Sequence, residues 1–236
     1  MTSFRPDATT GTEATLRPDG PETRLRDDTD MADKLSEIQT VVADYYTGKL
    51  KAYGETPRGV DWNSQESQTL RFAQLARVID AGDGFSVNDF GCGYGAFHDY
   101  LAARYLTFSY YGCAVSGEMV RAARKRLGAH PDVELEEAGR PGRIADYGVA
   151  SGIFNVRLGH DEAAWLAYID DQLDVLDATS RLGFAFNCLT LYSDPERMRG
   201  DLYYADPCRF FDHCKRRYSR QVALLHDYGL YEFTVL

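Results

Sequence analysis

The run Val87-Asn88-Asp89-Phe90-Gly91-Cys92-Gly93-Tyr94-Gly95-Ala96 constrains this chain more than any other. It closes a strand-like stretch, Phe85–Phe90, and opens a helical one, Ala96–Arg104, with a glycine at every second position between them. Glycines there permit a tight turn and let a ligand lie against bare backbone beside a helix N-terminus. The same rhythm continues downstream. Candidate strands Phe108–Cys113, Val133–Glu137, Tyr147–Gly152, Leu182–Cys188, Gln221–His226 and Tyr231–Leu236 alternate with helical stretches near Glu118–Leu127, Glu162–Leu176 and Arg209–Arg216. Alternation of this kind predicts an α/β fold, a seven-stranded, mainly parallel sheet with helices on both faces. Only Asp227–Leu230 separates the last two strands, too little for a parallel crossover, so they form an antiparallel C-terminal hairpin.

Upstream, composition changes near residue 31. Residues 1–30 carry three prolines and many charges with little to bury, which predicts a flexible tail and no secretory leader. Residues 31–236 form one domain, with a helical cap over 31–83 and the sheet core over 84–236. In the cap, Leu35, Ile38, Val41, Val42 and Tyr45 mark one apolar stripe of a helix that ends at Tyr53–Gly59. A second helix is expected after Asn63, with Glu66 as its capping-box partner, running through Leu70, Leu75, Val78 and Ile79 to Gly82. The formal net charge of −10 argues against a nucleic-acid acceptor, and no apolar run is long enough to span a membrane. Five cysteines without CxxC spacing read as reduced thiols of a cytoplasmic protein, and no metal site is expected.

An open α/β sheet binds its ligand beyond the carboxyl ends of its strands, at the point where strand order reverses. That rule selects Gly91–Gly95, Ala114–Ser116, Ser151–Arg157 and Asn187–Thr190. The glycine turn alone fits two cofactors, because Gly91-x-Gly93-x-x-Ala96 also satisfies a relaxed dinucleotide fingerprint.

Asp89-Phe90-Gly91-Cys92-Gly93-Tyr94-Gly95 resembles the first motif of class I S-adenosylmethionine-dependent methyltransferases, whose fold is Rossmann-like. Tyr111–Met119 is similar to the segment closing their second strand, and Ala145–Asn155 to their fourth-strand segment. The resemblance covers roughly residues 60 to 236 and implies S-adenosyl-L-methionine as cofactor. By resemblance, Asp89 and Gly91 face the methionine end and Ala114, Val115 and Met119 lie near ribose and adenine. Cys92, Gly93, Tyr94, Gly95, Ser116, Ser151, Gly152 and Ile153 complete that site, Glu136 and Glu137 are candidate adenine contacts, and Arg71 is a candidate partner for the methionine carboxylate. One position departs from the family: Ala114 stands where an acid usually takes both ribose hydroxyls, with Ser116 or Glu118 as candidate substitutes.

The resulting expectation is methyl transfer by in-line displacement to oxygen or nitrogen of a small molecule. Candidate acceptor-binding residues are Tyr46, Asn155, Arg157, Asn187, Tyr203 and Tyr204, and His226 or His160 would serve a protonated acceptor as base. Gly59–Gln68, with Trp62, forms the approach over the cofactor. Such a protein is expected as monomer or homodimer. Two alternatives remain at this point: a catalytically silent binding module, supported by Ala114, and an NADP-dependent oxidoreductase, for which Arg121 is the only nearby phosphate partner.

Overall fold

The computed structural model describes residues 21–236, with side chains from Lys34 onward. Seven strands form one sheet: β1 (Phe85–Phe90), β2 (Phe108–Ala114), β3 (Val133–Glu137), β4 (Ala145–Ala150), β5 (Ser180–Leu189), β6 (Leu224–Leu225) and β7 (Glu232–Val235). Their order is β3-β2-β1-β4-β5-β7-β6. The first five pair in parallel, while β7 runs antiparallel between β5 and β6. The chain steps outward from β1 to β3 and returns to pair β4 against β1, so strand order reverses between them. A crevice is required where crossovers leave in opposite directions.

Helices α1 (Pro21–Tyr53), α2 (Gln65–Leu75), α3 (Ala96–Ala102), α4 (Gly117–Leu127), α5 (Glu162–Ala178) and α6 (Pro207–Arg217) surround the sheet. On one face Ile38 and Val42 of α1 pack with Phe90, Phe154, Trp165, Ile169 and Phe210. On the other, Phe72 and Leu75 of α2 pack with Val87, Phe97, Leu101 and Val120. β1 and β4 are buried on both faces, as central parallel strands must be. The edge strand β3 exposes Glu134, Glu136 and Glu137, charges that oppose edge-to-edge pairing.

Several boundaries differ from the sequence expectation. Helix α1 begins at Pro21, not Ala32, with proline at a position whose N–H has no helical partner; the rest of the expected tail, residues 1–20, lies outside the described residues. The α2 capping box is Ser64 with Ser67, not Asn63 with Glu66. The Ser64 hydroxyl accepts from the Ser67 N–H at 3.2 Å and Ser67 Oγ accepts from the Ser64 N–H at 3.3 Å. β4 stops at Ala150 because the chain turns at Gly152, whose φ is +75°. β6 is only two residues long.

Candidate functional site

The glycine turn after β1 is pinned to the end of β2, where the Cys113 carbonyl accepts the N–H groups of Gly91 at 2.8 Å and Cys92 at 3.0 Å. Gly91, Gly93 and Gly95 have φ of 69°, 55° and 83°, a region in which side chains are strained. A Cβ on Gly91 would overlap Ile153, and one on Gly93 would sit 2.9 Å from Val60. The turn is therefore bare backbone facing a narrow space, immediately before the N-terminus of α3.

That space is a largely apolar cavity of about 90 Å³. Asp89, Gly91, Tyr94, Ala114, Met119 and Ser151 are among its lining residues. Asp89 is 2% exposed, and burial pushes its carboxyl up to about 7 although the Tyr110 hydroxyl donates to it at 2.5 Å. Burial and the neighbouring Asp89 raise the Cys92 thiol well above its ordinary value, so it is an inert wall. Ser151 Oγ is buried with no partner among the described residues.

A second, more polar cavity of about 540 Å³ adjoins the first. Arg71, Gly152, Asn155, Arg199, Tyr204 and Glu232 line it. The two share Tyr46, Val60 and Trp62, which form a partition contributed by α1 and the segment leading to α2. This segment is latched by Asp61, which accepts from the Tyr45 hydroxyl at 2.7 Å, Lys49 at 2.5 Å and Arg199 at 3.2 Å. Desolvation lifts the half-buried Tyr46 phenol far above its ordinary range, so it remains a proton donor.

Sequence comparison decides the family. "Putative methyltransferase Rv1506c" of Mycobacterium tuberculosis is 60% identical over 160 residues, covering 68% of this chain and 96% of that one. The chain belongs to the class I S-adenosylmethionine-dependent methyltransferases. The family described as "Methyltransferase domain" matches residues 88–181 of this methyltransferase, from the last half of β1 to the start of β5. Its fold is similar to that of the N-methyltransferase NodS from Bradyrhizobium japonicum WM9, solved with S-adenosyl-L-homocysteine. The TM-score is 0.56 at 14% identity, covering 81% of this chain and 94% of that one. It is also similar to magnesium protoporphyrin IX methyltransferase from Synechocystis PCC 6803, with TM-score 0.55, 16% identity and coverage of 84% and 97%.

Of the expected cofactor residues, Asp89, Gly91, Cys92, Gly93, Tyr94, Ala114, Val115, Ser116, Met119, Ser151 and Ile153 gather on the smaller cavity of the methyltransferase. Gly95 shapes the turn behind them, packed against Leu127. Gly152 and Arg71 fall on the larger cavity instead. Arg71 departs furthest from expectation. Its Nε and Nη2 donate to Glu232 at 2.7 and 2.6 Å, a buried pair that ties α2 to β7. Both expected substitutes for the missing acid have other partners, although Ser116 also lines the cavity. Ser116 caps α4 and bonds Thr47 at 2.8 Å, while Glu118 pairs outward with Arg121 at 2.6 Å.

Tyr46, Asn155 and Tyr204 line the larger cavity. Asn187 lies beneath it, accepting from the Gly152 N–H at 2.7 Å and donating to Glu232 at 3.0 Å, and is thus a positioning group. Tyr203 is buried in the core, and Arg157 and His160 lie outside both cavity walls. His226 packs tilted against Tyr192 and edge-on to Phe233, also outside both walls. Glu136 accepts from the Tyr111 hydroxyl on the sheet edge. Val60 and Gln68, within the expected approach segment, line the smaller cavity, whereas sequence reasoning missed Gln172 and Glu232. Only a register joining β7 to the start of α2 could have found Glu232. Among the described residues no group of three or more His, Cys, Asp or Glu is placed to hold a metal ion, and no helix is long and apolar enough to cross a membrane.

Proposed function

We propose that this methyltransferase transfers the methyl group of S-adenosylmethionine to an oxygen or nitrogen of a small molecule held in the larger cavity. The observation that carries this reading is the pair of cavities meeting at Tyr46, Val60 and Trp62. Group transfer in line between two molecules needs adjacent sites closed against water. When bound, the cofactor supplies a methyl already activated on a sulfonium, so the protein's task is alignment.

The residues fit that cofactor. The bare backbone of Gly91 and Gly93 accommodates close approach, and the unmet Ser151 hydroxyl supplies a polar contact. In this reading Asp89 and Gly91 hold the methionine end, and Ala114, Val115 and Met119 flank ribose and adenine. The cavity of about 90 Å³ is smaller than the roughly 300 Å³ of ordinary ligand pockets, so the Val60–Trp62 segment withdraws to admit the cofactor. The net charge of −10 favours a small-molecule acceptor over nucleic acid, and the free cysteines suit a cytoplasmic protein.

A silent binding module remains the second reading, favoured by Ala114. Against it stands Glu137, the register partner of Ala114 on β3, whose carboxylate lies where it would be 2.5 Å from a Cβ on Gly117. That puts an acid at the N-terminus of α4, beside the position that lacks one. The test is binding of S-adenosylhomocysteine to the wild type and to Gly93→Arg, which forces a large side chain into the turn. The variant loses binding and keeps its far-ultraviolet circular dichroism; retained binding refutes the assignment.

A further inference from the structure

Two buried donors on the larger cavity have no partner among the described residues, and their chemistry specifies what the acceptor carries. Asn155 is 4% exposed, and its Oδ1 accepts the Leu189 N–H at 2.9 Å. That bond fixes the amide orientation and leaves Nδ2 as a buried donor without a partner. Arg71 is 6% exposed and gives Nε and Nη2 to Glu232, so one edge of its fork is occupied while Nη1 is unmet. Buried donors left unpaired are costly, and a ligand that meets both recovers that cost.

We propose that the acceptor of this methyltransferase is an amphipathic carboxylic acid whose carboxylate docks on Arg71 and Asn155; this rests on the reading of the larger cavity as the acceptor site. A carboxylate offers two acceptor oxygens and no donor, which matches a guanidinium N–H and an amide N–H lining one cavity. An ammonium or amide nitrogen presents donors to donors. Charge around the cavity is balanced: Glu232 answers Arg71, Asp61 and Asp201 answer Lys49 and Arg199, and Asp194 meets Arg197 only at 3.9 Å. Arg197 is thus the least firmly paired cation on the same cavity. Val156, Leu189 and Leu202 supply apolar wall for the rest of the molecule.

Trp62 covers both donors. The guanidinium carbon of Arg71 lies 3.9 Å from its ring centroid, and a Cβ on Gly152 would overlap its far edge while lying 3.6 Å from Asn155 Nδ2. A carboxylate reaching the donors displaces this indole. The only other tryptophan in the chain, Trp165, is fully buried in the core, so the change in fluorescence reports on Trp62.

The experiment titrates the full chain with benzoate and with benzamide, reading tryptophan fluorescence with and without saturating S-adenosylhomocysteine. Benzoate saturates, and benzamide binds at least about tenfold more weakly. Asn155→Asp keeps an acceptor for Leu189 and replaces the unmet donor by an oxygen; it abolishes the benzoate response and leaves the affinity for S-adenosylhomocysteine within about twofold, a change worth only a few tenths of a kcal/mol. Equal binding of benzoate and benzamide, or no saturable benzoate response, overturns the proposal. So does a loss of S-adenosylhomocysteine affinity in Asn155→Asp, which would give these donors to the cofactor's own carboxylate. Failure of the wild type to bind S-adenosylhomocysteine while benzoate selectivity holds would instead strike the methyl-transfer reading alone.

Discussion

Glu232→Gln removes the charge that holds the helical cap onto the sheet, while preserving side-chain volume. Glu232 is wholly buried and accepts three hydrogen bonds: from Arg71 Nε at 2.7 Å, Arg71 Nη2 at 2.6 Å and Asn187 Nδ2 at 3.0 Å. A glutamine has one acceptor oxygen and turns an NH₂ toward the guanidinium. Whichever way the amide turns, at least one Arg71 N–H faces an NH₂ and the buried cation loses its counter-charge. Breaking one side of a buried ion pair costs about 3–5 kcal/mol. With a urea slope of about 2 kcal/mol per molar, the unfolding midpoint falls by about 2 M. Replacing both partners, as in Arg71→Met with Glu232→Met, recovers most of the loss, because neither charge is then stranded. Urea unfolding followed by circular dichroism at pH 7 measures both. A midpoint shift below about 0.5 M for Glu232→Gln would mean that the pair is solvated and the cap is not tied through it.

Three further outcomes follow from the same geometry. Burial pushes the Asp89 carboxyl up to about 7, so its contribution to stability is present at low pH and is lost as pH rises through about 7. A cationic ligand nearby favours the ionised form, so S-adenosylmethionine binding releases a proton below that pH; at pH 6 the heat of binding then depends on the ionisation enthalpy of the buffer, and a heat independent of buffer contradicts this. Ala114→Asp restores the usual ribose acid and tightens S-adenosylhomocysteine by about 1–2 kcal/mol, roughly tenfold, in calorimetry; no change would show that another group fills that slot. Asp61 sits at φ 62°, which asparagine tolerates, so Asp61→Asn tests the latch to Tyr45, Lys49 and Arg199 without adding backbone strain. It costs about 1 kcal/mol and speeds amide exchange across residues 57–64, whereas unchanged exchange would show that the latch does not hold the cap.

The sheet was legible in the sequence because its signals are local. Strand-length apolar runs, the glycine turn and the four-residue connection before β7 each act within a few residues, and they specify the parallel core and the antiparallel ending together. The turn also located the smaller cavity, since Gly91 and Gly93 need their positive φ for a reason visible in the residue type alone. The larger cavity was less legible because its contacts are long-range. Arg71 reads as a free cation until β7 brings Glu232 against it across 161 residues of chain. Asn187 reads as a contact group at a strand end until its amide is seen bridging Gly152 and Glu232. His226 follows the same pattern: its place in the hairpin suggested a base, but packing against Tyr192 and Phe233 turns it away from both cavities.

The glycine turn of this methyltransferase is expected to hold an adenosyl cofactor despite Ala114. Calorimetric titration of the full chain with S-adenosylmethionine and S-adenosylhomocysteine, with NADPH as control, should then give micromolar binding of both adenosyl ligands and no heat with NADPH. Silence toward both, in a protein that still unfolds cooperatively, would contradict it and leave a fold that has lost its cofactor.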